Sequence, residues 1–191
     1  MNKLIIPLLL IIITGCSFSK NSPNTLSSQN DFNTIVKQET DYSCGAAALA
    51  TLLRYDLGDS VTEKELLQQL LKPLPPTQAL LKQQQGFSLL DLQTVARQRG
   101  YKAMGFYLDA DNLKKLSSPV IVFIQPQGYK HFSVLKGIYH NIAYLADSAL
   151  GNIQVPLNEF LTIWQTAQGK GIVFVVEQKD KATVHLLNQP K

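Results

Sequence analysis

Gln38-Glu39-Thr40-Asp41-Tyr42-Ser43-Cys44-Gly45-Ala46-Ala47-Ala48-Leu49-Ala50-Thr51-Leu52-Leu53 is a polar run that ends at a cysteine and continues as alanine and leucine. Alanine and leucine are the strongest helix formers, so a helix is predicted to begin at or just before Cys44. The first N–H groups of a helix have no partner inside it, and the helix dipole is positive there. Both effects favour an anion at Cys44, and the thiolate is the nucleophilic form of cysteine. Ala46, Ala47, Ala48 and Ala50 are small enough to let this helix pack closely against a cover. Gly45 is read as keeping the approach to the sulfur open. Gln38, six residues before the cysteine, carries an amide that can donate to an oxyanion. Taken alone, Cys44 reads first as a structural core residue, because free cysteines are among the most buried side chains. The rest of the chain reverses that reading.

The chain has 191 residues, enough for one domain plus extras, and 45% hydrophobic content supports a sizeable core. A formal charge of +4, with no basic stripe interleaved with aromatics, argues against a nucleic-acid partner. Met1-Asn2-Lys3 gives a positive start, and Leu4 to Ile13 is an almost unbroken apolar run. That run is too short to span a bilayer comfortably and has the form of a signal-peptide core. Ile13-Thr14-Gly15-Cys16 resembles the bacterial lipobox, in which the cysteine receives diacylglycerol. The expected organisation is a lipoprotein signal peptide over 1–15 and a lipidated tether over 16–31, rich in Ser and Asn. A folded domain over 32–178 and a tail over 179–191 follow. By resemblance to Gram-negative lipoproteins, Ser17 in place of an aspartate after Cys16 implies the outer membrane, facing the periplasm. With Cys16 acylated, Cys44 is the remaining thiol of two cysteines and has no partner for an internal disulfide.

Along the domain, Thr62 and Glu65 form a capping-box signature that opens a helix to about Leu71. Pro73, Pro75 and Pro76 interrupt the chain. A short helix is predicted over Thr77–Gln85, and another starts at Ser88 with Leu89, Leu92, Val95 and Ala96 on one face, ending at Gly100. Tyr101 to Leu108 reads as a strand, Asp111 to Leu116 as a short helix, and Val120 to Ile124 as a buried strand. His131–Ile138 and Ile142–Asp147 read as a hairpin around residues 139–141. A short strand over Asn152–Val155, a helix over Leu157–Trp164 and a strand over Ile172–Glu177 complete the pattern. Helices first and a meandering sheet afterwards predict an α+β fold, with N-terminal helices packed on an antiparallel sheet.

A cysteine nucleophile needs a base, and the base needs an orienting group. The chain has three histidines. His185 falls in the tail and His140 in the hairpin turn, where surface roles are expected. His131 begins a strand just after the polar turn Gln125-Pro126-Gln127-Gly128, a usual place for a catalytic side chain. The midpoint of 131 and 147 falls inside the proposed turn, so the hairpin brings His131 and Asp147 opposite each other within a residue or two. Asp147 could then fix the imidazole tautomer. The competing role for Asp147 is a turn residue at the head of Asp147-Ser148-Ala149-Leu150-Gly151.

Gln38, Cys44-Gly45-Ala46-Ala47, His131-Phe132-Ser133-Val134-Leu135 and Asp147 resemble the peptidase family that processes bacteriocin precursors at double-glycine leaders. The resemblance runs from about Asn33 to Val176. Gly86-Phe87-Ser88-Leu89-Leu90-Asp91-Leu92 and Ser118-Pro119-Val120-Ile121 resemble the family's connecting segments. It implies a papain-like fold, a Cys44–His131–Asp147 triad and Gln38 at the oxyanion hole. Family members often carry proline after the aspartate, where this chain has Ser148. The best-known members are cytoplasmic domains of export transporters, whereas this chain carries a lipobox-like N-terminus and is expected on the other side of the membrane. By resemblance to free-standing exported relatives, a secreted or fibre-forming protein is the expected substrate.

The resulting expectation is a membrane-tethered thiol protease in the cell envelope. It would act on a protein or peptide through an acyl-enzyme, without cofactor or metal. Other readings stay open: a catalytically idle binding module, another papain-like acyl transferase, or a structural assembly lipoprotein. Thiol reactivity separates enzyme from scaffold, and product analysis separates peptidase from transferase.

Overall fold

The computed structural model describes residues 34–179. The expected signal peptide and tether, with Cys16, and His185 lie outside the described residues. The first helix, α1 (Cys44–Thr51), starts at the cysteine and continues as a π-helical turn, Leu52–Asp56. All eight residues of α1 are buried, as expected of a helix that is apolar all round. Thr51 meets this burial by donating its hydroxyl to the Ala47 carbonyl (2.8 Å) and accepting the Val36 N–H (2.9 Å). That second bond lays the chain leading to Gln38 along α1.

Helix α2 (Glu63–Leu71) and helix α4 (Leu89–Gln98) begin at Thr62 and Ser88 with reciprocal capping boxes, Thr62 with Glu65 and Ser88 with Asp91. Between them α3 (Pro76–Gln85) places Pro76 in its first turn, where the missing N–H costs nothing. Gly100, at φ 90°, ends α4 in a left-handed conformation that few other residues adopt. Strand β1 (Tyr101–Asp109) leads into α5 (Ala110–Leu113). This helix is shorter than the predicted 111–116. The Asp109 carboxylate accepts the Asn112 N–H and sets the start at Ala110, and i→i+3 bonds from Lys115 and Leu116 tighten its end into turns.

The remaining elements are β2 (Val120–Ile124), β3 (His131–Tyr139), β4 (Ile142–Asp147), β5 (Gly151–Pro156), α6 (Leu157–Trp164) and β6 (Lys170–Gln178). The six strands form one antiparallel sheet in the order β1-β6-β2-β3-β4-β5. His140 and Asn141, at φ 49° and 60°, make the two-residue turn of the β3–β4 hairpin, a backbone that matches strand twist.

Side chains alternate across β2 and divide the core into two. Ile121 joins Leu49, Leu53, Leu66, Leu92, Phe132 and Phe174 beneath α1, α2 and α4. Val120, Val122 and Ile124 join Leu145, Phe160, Trp164 and Val173 beneath α6. The expected packing of N-terminal helices on an antiparallel sheet is therefore present, and α6 covers the opposite face.

Candidate active site

Helix α1 reaches the sheet through Gly45. A Cβ built on Gly45 would lie 3.2 Å from Phe132 and 3.3 Å from Leu92. The glycine thus makes room for β3 and α4, rather than clearing an approach to the sulfur. Close packing sets the N-terminus of α1 against the start of β3, which carries His131 beside Phe132. Ser43 stands at the N-cap but turns its hydroxyl back to the Thr40 carbonyl (2.8 Å), so no side chain caps the first turn.

His131 Nε2 lies 2.8 Å from Asp147 Oδ2, with both residues buried. An ionised carboxylate only accepts, so the imidazole donates through Nε2 and Nδ1 is left for Cys44. The hairpin register explains the contact. Val134 pairs with Ala146. One residue further sets Asp147 opposite Ser133 and makes His131 its diagonal neighbour on the same side, a separation that long side chains bridge. Asp147 Oδ1 accepts the N–H groups of Ala149 and Leu150, each at 3.0 Å. The turn role and the histidine contact therefore coexist on one carboxylate.

The charges reinforce each other. Burial pulls the His131 pKa down, but its bonds to Asp147 and Cys44 outweigh burial and hold it up at about 9. Burial pushes the Asp147 carboxyl up, yet His131 and the two main-chain N–H groups hold it below its usual 3.8. Near neutral pH the pair is an imidazolium and a carboxylate, with Cys44 beside the imidazolium.

Gln38 sits in the loop that precedes Cys44. Its Nε2 donates to the Thr40 carbonyl (3.0 Å), its Oε1 accepts the Ser148 hydroxyl (2.8 Å), and its main-chain N–H donates to the Ser148 carbonyl (3.1 Å). Buried Glu63, the first residue of α2, accepts the Glu39 N–H with both oxygens at 3.2 Å. The structure thus brings Cys44, His131 and Asp147 together, ties Gln38 to the residue after Asp147, and leaves His140 exposed at the far end of the hairpin.

Sequence reasoning did not assign Glu63 or Ser148 to this neighbourhood. Glu63 reads locally as a helix-start acid, and Ser148 was visible only as a turn residue and a departure from proline. A cleft of about 770 Å³ opens beside Cys44, lined by Phe87, Leu89, Phe123, Phe132 and Lys130 among others. Phe87 and Leu89 come from a segment read as a connection and a helix start, with no part in the site assigned to it. Among the described residues no cluster of His, Cys, Asp and Glu could hold a metal ion.

The chain is similar to several known proteins. A probable functional amyloid protease FapD of Pseudomonas aeruginosa is 39% identical over 145 residues, covering 76% of this chain and 61% of that protein. The match spans about three fifths of that relative's length. A double glycine motif protease from an AMS/PCAT transporter, solved in complex with its leader peptide, is 27% identical with a TM-score of 0.55. It covers 75% of this chain and 90% of that one. The peptidase domain of Streptococcus ComA shares the fold at 18% identity, with a TM-score of 0.61 over 76% of this chain and 98% of that one. The family model for the Peptidase C39 family matches residues 33–181. With this match, the papain-like fold and the cysteine–histidine–aspartate constellation in place, the chain belongs to the Peptidase C39 family.

Proposed function

We propose that this protein is a membrane-tethered cysteine endopeptidase that processes an exported protein, and that Cys44, His131, Asp147 and Gln38 carry the reaction. The observation that supports it most is the buried 2.8 Å contact between His131 and Asp147, with Cys44 close enough to help raise the His131 pKa. In the reactive pair the thiol proton resides on His131 as an imidazolium, and Cys44 is the thiolate. The thiolate of Cys44 attacks the scissile carbonyl carbon, and the displaced electron pair goes to the oxygen. The Gln38 amide and the Cys44 N–H hold that oxyanion. On collapse the C–N bond breaks, His131 gives its proton to the leaving amine, and a thioester remains. Water, deprotonated by His131, then hydrolyses the thioester. The protein substrate follows from the family, and the fibre-forming class is suggested by the relative called a probable functional amyloid protease. The lipobox at Cys16 would hold the enzyme at the envelope, with the outer membrane facing the periplasm as its place.

Iodoacetamide separates an active nucleophile from an idle binding module. At pH 6.5 Cys44 of the wild type should be alkylated at least about tenfold faster than in His131→Ala, because the imidazolium favours the thiolate. Equal, slow rates in the two folded proteins would leave Cys44 as a packing residue.

A further inference from the structure

Asp147 and Ser148 are adjacent in sequence and hold opposite halves of the site. Asp147 bonds the histidine, and Ser148 bonds the glutamine. We propose that Ser148 is a positioning residue that fixes the orientation of the Gln38 amide for oxyanion stabilisation. The inference rests on the reading of Gln38 as an oxyanion donor and goes beyond it.

The hydrogen-bond pattern leaves one solution. A side-chain amide has a donor end and an acceptor end of nearly equal shape, so its orientation is set by its partners. The Thr40 carbonyl can only accept, and it faces Nε2 at 3.0 Å. Oε1 must therefore face Ser148, whose hydroxyl donates at 2.8 Å. Between these two contacts the amide cannot flip, and among the described residues the second Nε2–H has no partner. Ser148 is 2% exposed, so water does not compete for its hydroxyl. The main-chain bond from Gln38 N–H to the Ser148 carbonyl does not need the hydroxyl. Removing that hydroxyl frees the amide while the loop stays anchored.

Two small reagents isolate the effect without the natural substrate. With p-nitrophenyl acetate the thiolate adds to the acetyl carbon and an oxyanion forms. Its collapse expels p-nitrophenolate and leaves an acetyl thioester. With iodoacetamide the thiolate displaces iodide at a saturated carbon, and no oxyanion arises. The ratio of the two rates at Cys44 reports the oxyanion hole alone. Gln38→Ala should lower that ratio by about 10²-fold. Ser148→Ala should lower it by about tenfold, the scale of one hydrogen bond, with alkylation at the wild-type rate. In the Gln38→Ala background, Ser148→Ala should change nothing further, because there is no amide left to orient.

An unchanged ratio in Ser148→Ala would overturn the proposal. So would a loss that multiplies with that of Gln38→Ala, or an equal slowing of both reactions, which would place the effect on His131 or on folding. Wild-type Cys44 inert to both reagents would instead overturn the peptidase reading itself, and this inference with it.

Discussion

The two oxygens of Asp147 serve different neighbours, one the imidazole and the other the turn that follows. Both tasks require the carboxylate ionised, so the site's stability depends on pH in a definite way. The folded-state pKa of His131 is raised from 6.5 to about 9, so its stabilisation is complete below 6.5 and is lost as pH rises through about 9. The pKa of Asp147 is lowered, so its stabilisation is complete above 3.8 and is lost as pH falls below that value. Urea midpoints followed from pH 5 to pH 10 should fall more steeply between 6.5 and 9 in the wild type than in Asp147→Asn. Parallel profiles would mean that the pair is not coupled in the folded protein. His131 and Asp147 were legible in the sequence because hairpin pairing is local arithmetic. The Ser148–Gln38 contact joins residues 110 apart, and no local pattern encodes which loop folds back onto a given serine.

Among the elements, those with strong local chemistry were the readable ones. Both capping boxes, the proline at the start of α3 and the glycine after α4 act within a few residues of themselves. The helix at Cys44 was legible as far as its start. Its π-helical continuation over Leu52–Asp56 was not, since the same residues propagate an ordinary helix equally well. The hairpin's register irregularity between Leu135 and Gly137 was equally hidden, yet the predicted partners still met within two residues. Gly45 shows how a residue can be singled out for the wrong reason, because its role is packing. Gly171, which the sequence reading passed over, is a sharper case of a packing glycine. A Cβ built on Gly171 would meet the Trp164 ring closer than any Cβ could tolerate, and the indole N–H donates to the Ile172 carbonyl at 3.0 Å. Gly171→Ala should therefore expel Trp164 from its seat between α6 and β6 and cost about 1–3 kcal/mol. Chemical denaturation with indole fluorescence as the signal reads both the loss and the displaced ring. An unchanged midpoint would show that the ring can move at no cost.

For the whole molecule, the sheet carries the histidine and aspartate on one hairpin, while the helical layer carries the cysteine and the loop with Gln38. The cleft beside Cys44 is lined by both layers, with Phe123 and Phe132 from the sheet and Phe87 and Leu89 from the helical side. An apolar wall of this kind suits an unfolded or helical segment of a protein chain more than a small polar molecule. Tethering is a separate claim with its own test. Metabolic labelling with a fatty-acid probe should mark the wild type and not Cys16→Ser, and the variant should leave the membrane fraction. Equal labelling of both would remove the anchor while leaving the active site untouched. The central claim is that Cys44 cuts an exported protein. It is tested most directly by comparing the N-termini of all envelope and secreted proteins from wild-type cells and from cells carrying Cys44→Ala. The account expects at least one exported protein to show a mature N-terminus in the wild type that is absent in Cys44→Ala, with the uncut precursor accumulating in its place. Identical N-termini in the two strains, with the substrate proteins expressed in both, would contradict it.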